Sequence, residues 1–155
     1  MKSWLTCLIM LAVLAHSTES LFESVEEAKN VRGIDAEINA TKAYTEAMKN
    51  PHIKYAKVLS VRGSALKEGA LIEVVFPEGK SGIFNMKKGD GGSLWKGQGE
   101  KLDWFVIRKS GKDYSGQFLY KGRQYVLAPL SKGISIFYQL DGRFECGIKE
   151  IEARK

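Results

Sequence analysis

Histidine and cysteine are nearly absent from this chain: 155 residues include two of each, and only three prolines. One of each pair falls at the very start. Met1-Lys2-Ser3 is a short basic opening, Trp4 to Ala15 runs without a charge, and Ala15-His16-Ser17 places small residues where a cleavage site needs them. That anatomy is the anatomy of a secretory signal peptide, so residues 1–17 are expected to be removed. As a helix the apolar run would rise only ~18 Å, short of a ~30 Å hydrocarbon core, which argues against a retained membrane span. No second long apolar run follows. The expected product is soluble and either secreted or periplasmic.

What remains holds Cys146 as its one cysteine and His52 as its one histidine. An intramolecular disulfide is then excluded, and a zinc site built from this chain's own His and Cys has too few ligands. Ser-His-Asp and Cys-His nucleophile schemes would both need His52, which sits beside Pro51 where an ordinary surface residue is the simpler account. The HExxH pattern of zinc proteases is missing. Glu26 and Glu27 are neighbours on an expected helix and point in different directions, poor geometry for a paired acid and base. Gly89-Asp90-Gly91-Gly92 lacks the Lys-Ser/Thr ending of a phosphate loop and reads as a hairpin turn. The chain is expected not to be an enzyme and to need no cofactor of its own.

The charge excess is mild, 24 Lys+Arg against 18 Asp+Glu. Lysines are spread about one per strand or turn, whereas a nucleic-acid binder gathers them on one helix or beside stacking aromatics. No nucleic-acid partner is expected. A chain of this size can bury enough surface to fold as one domain without staples, and a monomer is expected.

Two helices are predicted at the N-terminus, within residues 18–50. Ser20-Leu21-Phe22-Glu23 has the form of a capping box, Phe22, Val25 and Ala28 or Lys29 follow at helical spacing, and Gly33 can end the helix. A second helix starts near Asp35, with Ile34, Ile38, Thr41, Tyr44 and Met48 as its stripe, and stops at Pro51. From Ile53 the period changes from about 3.6 to 2. Strands are predicted from Ile53 to Val61, Ala70 to Phe76, Gly82 to Lys88, Leu94 to Gln98, Trp104 to Lys109, Tyr114 to Tyr120, Arg123 to Leu127 and Ile134 to Leu140. Short Gly-containing turns separate them, and Lys121-Gly122 fits a two-residue hairpin. The expected fold is therefore α+β and mainly β: two helices, an antiparallel meander or sandwich over 51–141, and a tail over 142–155.

Trp95 and Trp104 can line a platform for a sugar or a polypeptide, although alternating strands more often bury such aromatics. Asn39-Ala40-Thr41 is a glycosylation sequon, relevant only where the host glycosylates exported proteins. Cys146, unpaired in an expected export product and flanked by glycines at Gly142 and Gly147, needs a reason. It either pairs with another chain or lies idle, or it offers a thiolate to a metal held elsewhere.

A longer pattern bears on that choice. Trp95-Lys96-Gly97-Gln98-Gly99 is followed by Tyr114-Ser115-Gly116-Gln117-Phe118-Leu119-Tyr120, then by Gly122-Arg123-Gln124-Tyr125-Val126-Leu127-Ala128-Pro129-Leu130. Gly133 to Asp141 and Cys146-Gly147-Ile148 complete it, with Ile72 to Pro77 as an earlier amphipathic strand. In this order the pieces resemble the β-domain and cysteine-switch tail of the propeptides of reprolysin-type (adamalysin-like) zinc metalloproteases. The run Arg143-Phe144-Glu145 departs from the Pro-Lys-Met-like run of that family, and a protease domain is not expected after Cys146.

The resemblance implies an exported, free-standing propeptide-like protein that inhibits or chaperones a reprolysin-type zinc metalloprotease in trans. Cys146 would occupy the open zinc position of that partner, supported by Phe144, Glu145, Gly147 and Ile148. A thiolate ~2.3 Å from zinc displaces the water that catalysis needs. Zinc would also hold deprotonated a thiol whose ordinary pKa is about 8.5. The alternative is an exported, non-enzymatic β-domain that binds a polypeptide or glycan through Trp95 and Trp104, with no metal role.

Overall fold

Most of the predicted runs from Ile53 to Leu140 alternate between buried and more exposed side chains, and each run is a strand. The computed structural model describes residues 17–24, 42, 44–131 and 133–141. Its strands are β1 (Glu19–Ser20), β2 (Phe22–Ser24), β3 (Ile53–Val61), β4 (Leu71–Val75), β5 (Ser81–Lys88), β6 (Leu94–Gln98), β7 (Trp104–Ser110), β8 (Asp113–Tyr120), β9 (Arg123–Ser131) and β10 (Ile134–Leu140). A 3-10 turn, Gly63–Ala65, follows β3. No helix among the described residues is long and apolar enough to cross a membrane.

β4 to β10 form an antiparallel meander, each strand paired with the next, and β10 then pairs with β3. The hairpins are tight because the turn residues accept left-handed backbone. Lys121 (φ 50°) and Gly122 (φ 73°) form the two-residue turn between β8 and β9, the conformation that matches strand twist.

The sheet would have two open edges, β3 and β4, but one short stretch of chain joins them. β1 lies parallel to β4, with Glu19 opposite Ile72, and β2 lies antiparallel to β3, with Phe22 opposite Val61. Between them Leu21 donates its N–H to the Glu73 carbonyl at 2.9 Å, and its own carbonyl accepts the Arg62 N–H at 2.8 Å. The result is one sheet closed on itself, a small barrel, rather than a sandwich of two sheets. Closure satisfies backbone groups that an open edge would expose.

A barrel of this size has an interior just wide enough to be filled by side chains. Aromatics fill it here. Phe76 stacks on Tyr120 with ring centroids 4.3 Å apart, and Phe105 sits 5.1 Å from Phe118 and 5.2 Å from Phe84. Tyr125 and Phe137 complete the buried cluster. Small residues make room for these rings: Gly97 on β6 faces the Phe105 ring directly.

The N-terminus corrects the expectation of two helices. Ser20 and Phe22 to Ser24 are strand, and Ser20 Oγ donates to the Phe22 carbonyl at 3.0 Å instead of capping a helix. Tertiary demand decides the segment: Leu21 is fully buried and its backbone bridges both edges, which outweighs a local capping signal. Of the second predicted helix, the described part is a short helical stretch at 44–47, where the Met48 N–H meets the Tyr44 carbonyl at 2.9 Å. Tyr44 and Met48 are both exposed, so these positions bury no stripe. The remaining predicted helical residues, among them Val25, Glu26, Glu27, Gly33 and Ile38, lie outside the described residues, as do the signal-like stretch and Asn39.

Candidate functional site

The outer face of β7, β8 and β9 carries a groove of about 310 Å³ that ends at Leu140 of β10. Register builds its floor. Trp104 stands opposite Leu119, and Leu119 opposite Gln124, one row running across three strands. The next row holds Val106, Gln117 and Val126 in the same order. Trp104 is 37% exposed and lines the groove. Among the described residues no charged side chain lines the groove. It offers an aromatic plane, aliphatic walls and two carboxamides, each of which can both donate and accept hydrogen bonds.

The two tryptophans do not share a site. Trp95 points to the inner face, where it packs against the core and carries the Lys88 ammonium 5.7 Å from its ring centre. Their positions predict this once both strands are placed, because odd residues of β6 and β7 face inward. Cys146, Phe144, Glu145, Gly147 and Ile148, on which the zinc-directed reading depends, lie outside the described residues. His52 is exposed in a turn, its N–H donating to Asn50 Oδ1 at 3.0 Å. Among the described residues no group of three or more His, Cys, Asp or Glu is placed to hold a metal ion. Gly89 to Gly92 is the β5–β6 turn, as the spacing predicts.

Sequence reading missed Leu119, Gln117, Gln124 and Leu140 as site residues. A signal for three of them existed. Two-residue turns at Gly111-Lys112 and Lys121-Gly122 set the registers that bring Leu119 and Gln124 level with Trp104 and put Gln117 one row away.

A second polar cluster closes one end of the barrel. Glu78, in the β4–β5 turn, has a side chain only 8% exposed; it accepts the Tyr125 hydroxyl and lies 3.7 Å from Arg123 Nη1. Its other oxygen, Oε2, is buried with no hydrogen-bond partner among the described residues. Burial first, and then the hydrogen bond to Glu78 and its charge, push the Tyr125 phenol well above its ordinary range. Tyr125 is therefore a fixed donor and not a nucleophile. Tyr125→Phe is expected to destabilise the fold by about 1–3 kcal/mol at neutral pH, read by denaturant unfolding, since Glu78 loses its donor.

The pH dependence has a definite sign. A phenol whose folded pKa is raised stays protonated in the barrel while the unfolded chain ionises above about pH 10. Tyr125 thus contributes stability below pH 10 that is lost as pH climbs beyond it. Unfolding curves of wild type should fall more steeply above pH 10 than those of Tyr125→Phe.

A second groove, about 410 Å³, lies on the outer face of β4 to β6 and is bordered by Glu100 and Asp103. Asp103 is spent on structure: its Oδ1 accepts the Lys121 N–H at 2.8 Å and its carbonyl accepts Gln98 Nε2 at 3.2 Å. No protein-family model, no curated protein and no solved structure matches this chain, so nothing outside its own residues links it to reprolysin propeptides or to any other family.

Proposed function

We propose that this chain is an exported, non-enzymatic β-barrel protein that binds a glycan in the Trp104 groove. One observation carries the reading: a partly exposed indole shares an uncharged groove with Gln117 and Gln124. A pyranose ring has an apolar C–H face and a hydroxyl rim. The first matches an aromatic plane, and the second matches side-chain amides that both donate and accept. Small-ligand sites have this composition, mostly apolar with a few placed polar groups. Leu119, Val126 and Leu140 supply the walls. The zinc-directed reading rests on the sequence resemblance and on Cys146, which lies outside the described residues.

Intrinsic tryptophan fluorescence tests the proposal. Titration with cello-, xylo- and chito-oligosaccharides is expected to give a saturable change for at least one series. Trp104→Ala, followed by titration calorimetry because the substitution removes the reporting indole, should weaken that binding about tenfold or more, the loss of roughly 1.5 kcal/mol of stacking. Trp95→Phe should leave the affinity in place. A response that survives Trp104→Ala would overturn the groove reading, and a Trp104-dependent response to unfolded peptides alone would favour a polypeptide ligand.

A further inference from the structure

The outer face beside the groove is strongly basic. Lys87 on β5 and Lys96 on β6 stand directly opposite each other in register, both exposed and on the same face as Trp104. Arg108 extends the cluster onto β7, two residues along the strand from Val106. Like charges set directly across a strand pair are destabilising. Yet no described carboxylate forms an ion pair with Lys87, Lys96 or Arg108, since the ion pairs present use Lys49, Lys67 and Arg123. The nearest acids in sequence are otherwise placed: Glu68 accepts the Lys88 backbone N–H at 2.6 Å, and Asp90 is in the exposed β5–β6 turn.

The patch and the groove are continuous. Lys96 is opposite Val106, and Val106 is opposite Gln117, so one row of the sheet leads from the ammonium into the groove. Two strand spacings separate Lys96 from Gln117, ~10 Å. We infer that the glycan is an anionic polysaccharide, one sugar ring seated on Trp104 between Gln117 and Gln124 while sulfate or carboxylate groups on adjoining sugars meet Lys96, Lys87 and Arg108. Charge complementarity selects this occupant. The groove itself is uncharged and takes the ring, and the three cations, unmatched within the barrel, take the acid groups.

The inference rests on the glycan reading, and the experiment separates the two. Dextran sulfate oligosaccharides and unsulfated dextran oligosaccharides of equal length are titrated into the full chain at several salt concentrations, beside the neutral panel described above. The sulfated form is expected to bind about tenfold tighter or more at low salt, with the advantage shrinking as salt screens the exposed cations. Lys87→Glu with Lys96→Glu, two exposed positions that the fold does not need, should remove that advantage and leave neutral-oligosaccharide binding and thermal stability unchanged. Trp104→Ala should weaken both ligands.

If neutral oligosaccharides bind and the sulfated form binds no tighter, the anionic ligand is wrong and the groove reading stands. If the sulfated form binds through the lysines without Trp104, the continuous site is wrong. Equal, salt-sensitive binding of single-stranded DNA or of vesicles rich in phosphatidylserine would likewise overturn it in favour of unselective polyanion binding. No binding of any oligosaccharide would sink both readings.

Discussion

Gly97→Ala, one added methyl, is expected to lower stability by about 3 kcal/mol or more, at or beyond the top of the usual overpacking range, and Gly97→Val, with its larger branched side chain, to prevent folding at 37 °C. The reason is the geometry behind β6. A Cβ at Gly97 would overlap the edge of the Phe105 ring. That ring is fully buried and is held between Phe84 and Phe118, at 5.2 and 5.1 Å, so it has nowhere to go. Flexible side chains can yield to a new methyl; an aromatic ring boxed by two others cannot. Shortening the ring should repair the clash. Phe105→Leu alone leaves a cavity and destabilises, but combined with Gly97→Ala it is expected to be more stable than Gly97→Ala alone. Thermal unfolding of the four members of that cycle gives the coupling. Additive losses would show that the glycine is not there for the ring.

The second large effect concerns the stave that closes the barrel. Leu21→Ala is expected to cost about 2–5 kcal/mol, the range for deleting a buried leucine side chain. Leu21→Pro should cost a further ~1–3 kcal/mol, because proline also removes the N–H that reaches Glu73 and leaves a carbonyl unmet. Amide hydrogen exchange makes the distinction sharper than a melting curve. With closure lost, protection should fall first along β4 and the 3-10 turn next to β3, while the β8–β9 hairpin keeps its own bonds. Equal stability of the two variants would mean that only the side chain matters and that the closure contributes nothing through its backbone.

The strands were legible for a physical reason. Ile53 to Val61, Leu94 to Gln98 and Ile134 to Leu140 emerge with the same limits in the structure, and the other predicted strands shift by one residue at one end or both, except for β9, which runs on to Ser131. In most of these strands one face meets the core and the other is more exposed, and that requirement writes a period of two into the chain. The hairpins were legible as well, since Gly122 and Lys121 accept left-handed backbone. Site residues were half legible. Trp104 stood out as an aromatic, but its partners Gln117 and Gln124 are ordinary glutamines until two hairpin registers are combined.

Residues 19–24 were illegible by the same logic. Ser20 and Glu23 form a good local helix start, and nothing within six residues says that β3 and β4, some forty and fifty positions downstream, need a strand between them. Only the assembled sheet creates that demand, because an open edge exists only after its neighbours are in place. The faces of Trp95 and Trp104 are of this kind too: nine residues apart on adjacent strands, they are alike in sequence and opposite in the barrel. Composition and periodicity determined that this chain makes strands, and roughly where each one turns. Closure of the sheet, the choice of which tryptophan meets solvent, and the meeting of Lys96 with the groove were decided by pairing across the barrel, since each depends on residues that are distant along the chain and adjacent only in space.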